Sequence, residues 1–503
     1  MKRVTTSALC LSALAFALSC SKSKEINHVD PPDSTPIELT VTGIKSNDTL
    51  RNTLTAEIKA EHSSGIKSIE VFANDELVAS ATADSLSLSL NTLDLPDGTY
   101  SLKVVVSDEA GNKKEQAASV VISNVLVKID RNLLFGRGDA ATYFITDSAG
   151  QVVGRADFVN DGTYDDVVSL YPSEAFNSSK LNLTRVSTVD GIPPLITHVV
   201  SINRGAHLSN NDIGRNTGRL NEYHAPIPFE VNNVPEYDHL LVSTDALYYQ
   251  LPVSPDYDYS LPYTTGSKSL LMIERNGSAK YGLFDIPAGS TKVELDATQA
   301  NLIPAKKTIH FPSGLSRVYV TAYGKVHRDY GEFYTFAEKM VSGNSVGVFY
   351  PEDLVETLNT QVSYTQGDVS FSSVYYGSIP ESIIAWDIQA NVNKPSITDF
   401  DMDVNGDFGY YHVYFENKPY VGTGEGYIEV LVFAPRGQET FSFPDIAAEI
   451  AIPGIDLSQF KARQIKFYTH DVPVDFTSQF NFPNSLWTPT GGKQAGIATI
   501  SLR

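Results

Sequence analysis

Gly65-Ile66-Lys67-Ser68-Ile69-Glu70-Val71-Phe72 alternates along its length, with Ile66, Ser68, Glu70 and Phe72 on one side and Ile69 and Val71 on the other. A period of two is the repeat of a half-buried β-strand, whose successive side chains leave on opposite faces. Asn74-Asp75 then supplies a turn before Leu77-Val78-Ala79. Pro96-Asp97-Gly98-Thr99 is a second turn signal, and it launches Tyr100, Leu102, Val104 and Val106 at the same period. Asp108-Glu109-Ala110-Gly111-Asn112 closes that strand. Together these segments predict an antiparallel β-sandwich over residues 37–124.

The paired segments SGIKSIEVFANDELVA (64–79) and DGTYSLKVVVSDEAGN (97–112) resemble those of bacterial immunoglobulin-like domains. The resemblance covers under a fifth of the chain and implies a unit that spaces or presents something else.

Upstream lies a basic start, Met1-Lys2-Arg3, followed by an apolar run from Val4 to Leu18. The run has the length and flanks of a signal peptide. It ends in Ala17-Leu18-Ser19-Cys20, which resembles the lipobox of bacterial lipoproteins, departing from it at Ala17, where leucine is commonest. The resemblance implies a leader at 1–19 and acylation of Cys20, hence a membrane partner through a lipid anchor at the outer membrane or cell surface. Several acyl chains on one residue anchor stably, where a single chain is marginal. The chain has two cysteines, Cys10 and Cys20, so processing there leaves none for a disulfide, a thiolate zinc site or a nucleophile. Residues 20–36 are polar and proline-containing and read as a tether. The triplets Asp48-Thr49-Leu50, Asp84-Ser85-Leu86 and Asp147-Ser148-Ala149 resemble O-glycosylation sites of Bacteroidota envelope proteins.

The whole chain has 503 residues and a net charge of −21. A surface that binds nucleic-acid phosphates needs the opposite sign, so nucleic acid is excluded as a general partner. With 26 Tyr, 24 Phe, 34 Gly and 26 Pro the composition is that of a turn-rich β protein. The predicted class is all-β: tandem β-sandwiches, immunoglobulin-like first, with further sandwiches at 125–264 and 265–375 and a β domain at 376–503. An internal echo joins the middle two. Thr142 to Gly150 recurs in character as Ser269 to Gly277, and glycines follow twelve residues on, at Gly162 and Gly289. Both copies predict strand, tight turn, strand. Two short helices are expected, over Pro351–Asn359, with proline first and acids in the first turn, and over Phe443–Ile450.

Few constellations carry chemistry. Gly343-Asn344-Ser345-Val346-Gly347 matches the nucleophile-elbow pattern, but a β-like run follows where a helix is required. Gly422-Thr423-Gly424-Glu425-Gly426 leads into a strand, not the helix that a phosphate cradle needs. His198, His207, His224 and His239 fall within about forty residues, without the spacing of a helical zinc site. Asp401, Asp403, Asn405 and Asp407, with Gly406, open like a calcium loop, yet His412 stands where a bidentate glutamate belongs. The expectation is an acidic hairpin tip with weak calcium affinity, sub-millimolar or worse, and no other cofactor. Asp157, Asp161 and Asp165 form a poorer version, with Val159 at a ligand position. Finally, Tyr257, Asp258 and Tyr259 lie in an aromatic–acid stretch, and flat rings beside hydroxyl-accepting carboxylates suit sugar recognition.

These readings favour a non-enzymatic envelope or surface protein that presents β domains for binding or assembly, with a glycan or another envelope protein as partner. The alternative is a secreted polysaccharide- or peptide-degrading hydrolase whose carboxylates lie far apart in sequence.

Overall fold

The computed structural model describes residues 35–135, 138–189, 192–209, 223–245, 259–264, 266–326, 333–417, 428–444, 446, 456–471 and 493–502. The fold is all-β, and the chain divides into two compact units.

The first unit holds residues up to Asn91 together with Gly98–Ile122. A three-stranded sheet (Glu38–Thr42, Thr53–Glu61, Ser85–Asn91) and a five-stranded sheet (Thr49–Leu50, Lys113–Ile122, Gly98–Asp108, Ile66–Ala73, Glu76–Ala81) make it up. The period-two pattern places Leu54, Ala56, Ile58 and Ala60 of one sheet and Ile69, Val71, Val104 and Val106 of the other inside. The hairpin between Ile66–Ala73 and Glu76–Ala81 turns on Asn74 and Asp75, both left-handed at φ 47° and 69°. That is the conformation a two-residue turn with the strand's own twist requires.

The second unit holds residues 92–97 and 123–503. Among the described residues its main sheet has fifteen strands. One end runs Val152–Val159, Ala140–Thr146, Lys180–Val189 and Ile192–Asn203. The last of these pairs in parallel with Glu429–Pro435, which continues into Tyr410–Glu416, Lys461–His470, Gln494–Ser501, Val369–Tyr376, Val355–Gln366, Ser316–Val326 and Phe333–Met340. Small sheets face it or one another, enclosing separate cores. One core gathers Ile129, Tyr143, Leu183, Val199 and Leu208. Another gathers Phe229, Leu240, Leu261, Leu271 and Leu295. The largest centres on Phe336, Phe400, Phe415, Val432 and Phe467.

The contacts run across two of the expected boundaries. Division at 264/265 would cut a single core, because Leu261 and Tyr263 pack in one cluster with Leu271 and Ile273. Division at 375/376 would cut the sheet, since Val369–Tyr376 is bonded on both sides. Both segments of the internal echo form antiparallel hairpins, Ala140–Thr146 with Val152–Val159 and Lys268–Arg275 with Ser278–Asp285. Their turn glycines, Gly150 and Gly277, are left-handed at φ 83° and 72°.

The helix expected over 351–359 is not there. Glu352–Leu354 makes a single 3-10 turn, and Val355–Gln366 is a strand with Leu358, Thr360, Val362 and Tyr364 buried in alternation. Proline and the acids do start a turn, but the β-branched residues and the period-two core take over after three residues. Of the second expected helix, Phe443, Pro444 and Ile446 are described and are not helical, and the rest lies outside the described residues.

Candidate functional site

The acidic stretch is strand rather than tip. Asp399–Asn405 buries Phe400 and Met402 and turns Asp399, Asp401, Asp403 and Asn405 to the other face. Its carboxylates already have protein partners. Asn393 Nδ2 donates to Asp401 Oδ2 at 3.0 Å and to Asp403 Oδ2 at 3.1 Å, and Thr440 Oγ1 donates to Asp401 Oδ1 at 2.9 Å. The hydrogen bonds from Asn393 and Thr440 hold the Asp401 carboxyl below its ordinary value. Lys394 pairs with Asp399 at 3.0 Å. Asp407 lies beyond the strand and pairs with Arg436 at 2.7 Å. Buried Phe400 and Met402 extend the backbone from Asp399 to Asn405, and Asp407 lies past the strand's end. Among the described residues no group of three His, Cys, Asp or Glu is placed to hold a metal ion.

His198 and His207 have separate partners. His198 is buried with Nδ1 at 2.8 Å from Thr184 Oγ1, and His207 Nε2 lies 2.7 Å from Asp130. Ser345 begins the strand Ser345–Tyr350, so the nucleophile-elbow geometry is absent there. Cys20, Tyr257 and Asp258 lie outside the described residues, and Tyr259 opens the strand Tyr259–Thr264.

The second unit instead forms a cleft of about 300 Å3 around Trp386, lined also by Asp387, Asp407, Thr469, His470, Asp471 and Gln494. Trp386 is held from several directions. Its indole lies directly on Gly496, where a Cβ would come within 1.8 Å of the ring. Phe371 meets it edge-on at 6.3 Å, and the Trp386 backbone N–H donates to Tyr364 Oη at 3.1 Å. The strand Lys461–His470 brings His470 to the cleft beside Tyr410, with ring centroids 6.2 Å apart and planes at 16°. Tyr410 in turn stacks on Tyr468 at 4.7 Å. Burial pushes the His470 imidazole down to about 4, partly opposed by Asp471, so the ring is neutral at pH 7. Neither of its ring nitrogens has a hydrogen-bond partner among the described residues.

Three carboxylates complete the wall. Asp387 accepts from Gln389 Nε2 at 3.0 Å, and Asp471 accepts the Lys493 N–H at 2.8 Å with one oxygen and 3.1 Å with the other. Each carboxylate has about four acceptor positions, so these bonds orient the groups and leave acceptors free. A rigid aromatic face beside acceptors, an amide and a neutral imidazole can hold a hydroxyl-bearing ring: the ring stacks, and its hydroxyls donate.

Residues 38–104 match the bacterial Ig domain family. Apart from residues 92–97, the match lies within the first unit. No curated protein matches the chain. Among solved structures, the chain is similar to fibronectin(III)-like modules of Clostridium thermocellum CbhA at 16% identity, covering 17% of this chain and 94% of that one, TM-score 0.16. It is also similar to a tetra-tandem repeat from the extending region of a large adhesion protein (14% identity, 86% and 94% covered, TM-score 0.17). A third is the Bacteroides ovatus mixed-linkage glucan utilization locus SGBP-B in complex with a heptasaccharide (10% identity, 63% and 93% covered, TM-score 0.15). At such TM-scores these likenesses carry no argument about this molecule's chemistry.

Of the cleft residues, the sequence patterns reach only Asp407, as a calcium ligand. The available signal was the Trp386-Asp387 dipeptide in a chain with two tryptophans. His470, Asp471 and Gln494 arrive from other strands, which no local pattern announces.

Proposed function

We propose that this chain is a lipid-anchored envelope or surface protein that binds a glycan in the Trp386 cleft. The observation that carries the binding is the fixed indole on Gly496, facing a cleft walled by Asp387, Asp407, Asp471, Gln494 and the imidazole of His470, which has no hydrogen-bond partner among the described residues. The anchor rests on the Ala17–Cys20 segment and the apolar run before it. An immunoglobulin-like unit with little chemistry of its own between the leader and the larger unit suits presentation.

The test is a glycan array on the full chain, followed by calorimetry on the best hit. Trp386→Ala is expected to weaken binding at least about tenfold, ~1.4 kcal/mol. A hit unaffected by Trp386→Ala places the site elsewhere, and turnover of a polysaccharide or peptide replaces the reading with a hydrolase. Intact-mass analysis of membrane fractions tests the anchor: acyl mass on Cys20 is expected, and release of the chain by Cys20→Ser.

A further inference from the structure

The second unit contains a larger cavity, of about 640 Å3, that the glycan reading does not use. Its chemistry differs from that of the Trp386 cleft. Phe349, Ile273, Ala279, Ala300 and Pro304 give it an apolar floor. The floor continues outward as an uncovered lip, with Ile303 84% and Leu302 46% exposed. Scattered exposed aliphatics are ordinary on a protein surface, but two in sequence beside an apolar cavity form a patch of the kind that ligands cover.

Local structure explains why the cavity stays open. The hairpin between Lys268–Arg275 and Ser278–Asp285 turns through Asn276 and Gly277, both left-handed at φ 52° and 72°. Opposite it, the 3-10 turn Ala297–Gln299 is held by Asp296, whose side chain accepts from the Thr298 N–H. A β-bridge between Tyr281 and Leu302 then fixes the approach of Ile303 and Pro304. Small residues, Ala279, Ala297 and Ala300, stand where larger ones would fill the space.

The rim carries cations in a chain whose net charge is −21. Arg275 pairs with Glu236, so that carboxylate is neutralised. Asp238 accepts the Asn276 N–H, and Asp296 accepts from Thr298 and Asn233. Glu274 is held by Lys339 at 2.6 Å. Among the described residues two cations have no carboxylate hydrogen-bonded to them: Lys280, exposed on the rim, and Lys306, which reaches the lining from beside it, its Nζ donating to the Gly277 carbonyl at 3.0 Å and lying 5.0 Å from the Phe349 ring centroid, with Glu274 near enough to feel its charge. Lys339 Nζ lies 5.3 Å from the same ring.

We infer that this cavity is a second binding site, for a free amphipathic anion: an apolar chain along Phe349, Pro304 and Ile303 with a carboxylate-like head at Lys280 and Lys306. Concavity favours a single dissolved molecule over a bilayer, which offers a plane. Elsewhere the molecule's surplus of carboxylates repels an anion, so the local cations supply selectivity for head-group charge. The site is independent of the Trp386 cleft.

The experiment uses the full chain and three probes of one tail: dodecanoate, dodecyltrimethylammonium and dodecyl maltoside, each below its micelle concentration, followed by calorimetry. Saturable dodecanoate binding is expected, with the cationic probe at least about tenfold weaker. Lys280→Glu is expected to weaken dodecanoate about tenfold and leave the maltoside unchanged, while Ile303→Asp weakens both. Lys280 and Ile303 are exposed, so both variants should fold, and their melting temperatures check it. Trp386→Ala should leave dodecanoate binding intact, which keeps the outcome separate from the glycan reading. Equal affinity for the three head groups overturns the proposal, as does no saturable dodecanoate binding up to about 1 mM. Sedimentation with anionic vesicles in the absence of dodecanoate binding would assign the cations to a membrane surface and equally overturn it.

Discussion

In the first unit the strand Thr53–Glu61 alternates strictly between exposed and buried residues, whereas in the second unit Lys180–Val189 and Lys268–Arg275 are buried on both faces for six or more residues in a row. A strand with one wet face needs few polar partners, since water satisfies that side. A strand covered on both faces must find a protein partner for each polar side chain it carries. The second unit accordingly buries Thr184, Arg185, His198, Glu274, Glu338 and His412, while the first buries Asp108 with its Asn112 and His62 contacts. Chemistry concentrates where burial is two-sided, and both cavities lie there.

The largest expected effect breaks a polar pair in that two-sided interior. Lys339 and Glu274 side chains are 14% and 9% exposed, and Lys339 also donates to the Gly347 carbonyl at 2.7 Å. Burial raises the Glu274 carboxyl, and Lys339 opposes that rise. Lys339→Met should cost about 3–5 kcal/mol by leaving the carboxylate alone. Adding Glu274→Met should recover most of it, because two methionines pack without a stranded charge. Denaturant melts of the single and double variants check this, and an unrecovered double would show that the pair holds more than itself.

Acid separates the two units next. Burial depresses the imidazoles of His198 and His412 to about 3 and those of His239 and His470 to about 4. Above about 6.5 these rings are neutral whether folded or not, and contribute nothing to the pH dependence. Below it the unfolded chain takes up protons that the folded one refuses, so stability is lost as pH falls from 6.5 toward those values. At pH 5, His198 and His412 should each cost about 2 kcal/mol. The raised carboxyls of Glu274 and Glu338 act in the opposite sense, losing stability as pH rises above their ordinary value. In the first unit, burial would raise the Asp108 carboxyl, but hydrogen bonds from Asn112 outweigh it and hold it low. That contribution survives until pH falls below the aspartate range. Melting followed at pH 7, 6 and 5 should therefore show the second unit's transition falling while the first stays. His412→Gln should flatten the slope by about 1.4 kcal/mol per pH unit.

A smaller change tests whether the Trp386 cleft depends on one missing methyl. Gly496→Ala would set a carbon 1.8 Å from the indole, so the ring must leave its seat. About 1–3 kcal/mol is the usual cost of such overpacking. With Trp487→Phe as background, since these are the two tryptophans, the emission of Trp386 should shift to the red. An unshifted spectrum would mean that the cleft tolerates the methyl and that its rigidity has another source.

How much of this was legible in the sequence follows the same division. Ile69 and Val71 are assignable to a core because their strand keeps its alternation, and Leu102 and Val104 likewise, although Val105 is buried between Val104 and Val106. Leu270 to Ile273 announce a strand but no face, and nothing in them says which partner lies 65 residues away, as Lys339 does from Glu274. The parallel pairing of Ile192–Asn203 with Glu429–Pro435 joins segments more than two hundred residues apart, a contact that no reading in sequence order announces. Asp401 to Asn405 show another limit: their spacing fits a calcium loop, and the acid pattern does not announce the strand that buried Phe400 and Met402 set.

The smallest effect belongs to the first unit and rests on one turn residue. Asn74 is left-handed at φ 47°, and its Oδ1 accepts the Ser101 N–H at 2.8 Å, tying the turn to the neighbouring strand. Asn74→Ala removes that bond, worth about 1 kcal/mol. It also places a residue that resists the left-handed region at a site that requires it, adding a comparable strain. Asn74→Gly removes the same bond without the strain, so the difference between the two variants isolates the backbone part. Alanine should cost about 1–2 kcal/mol and glycine less, both confined to the first unit's transition. If the second unit's transition moved equally, the two units would be one cooperative body, and the contrast between one-sided and two-sided burial would have no thermodynamic counterpart.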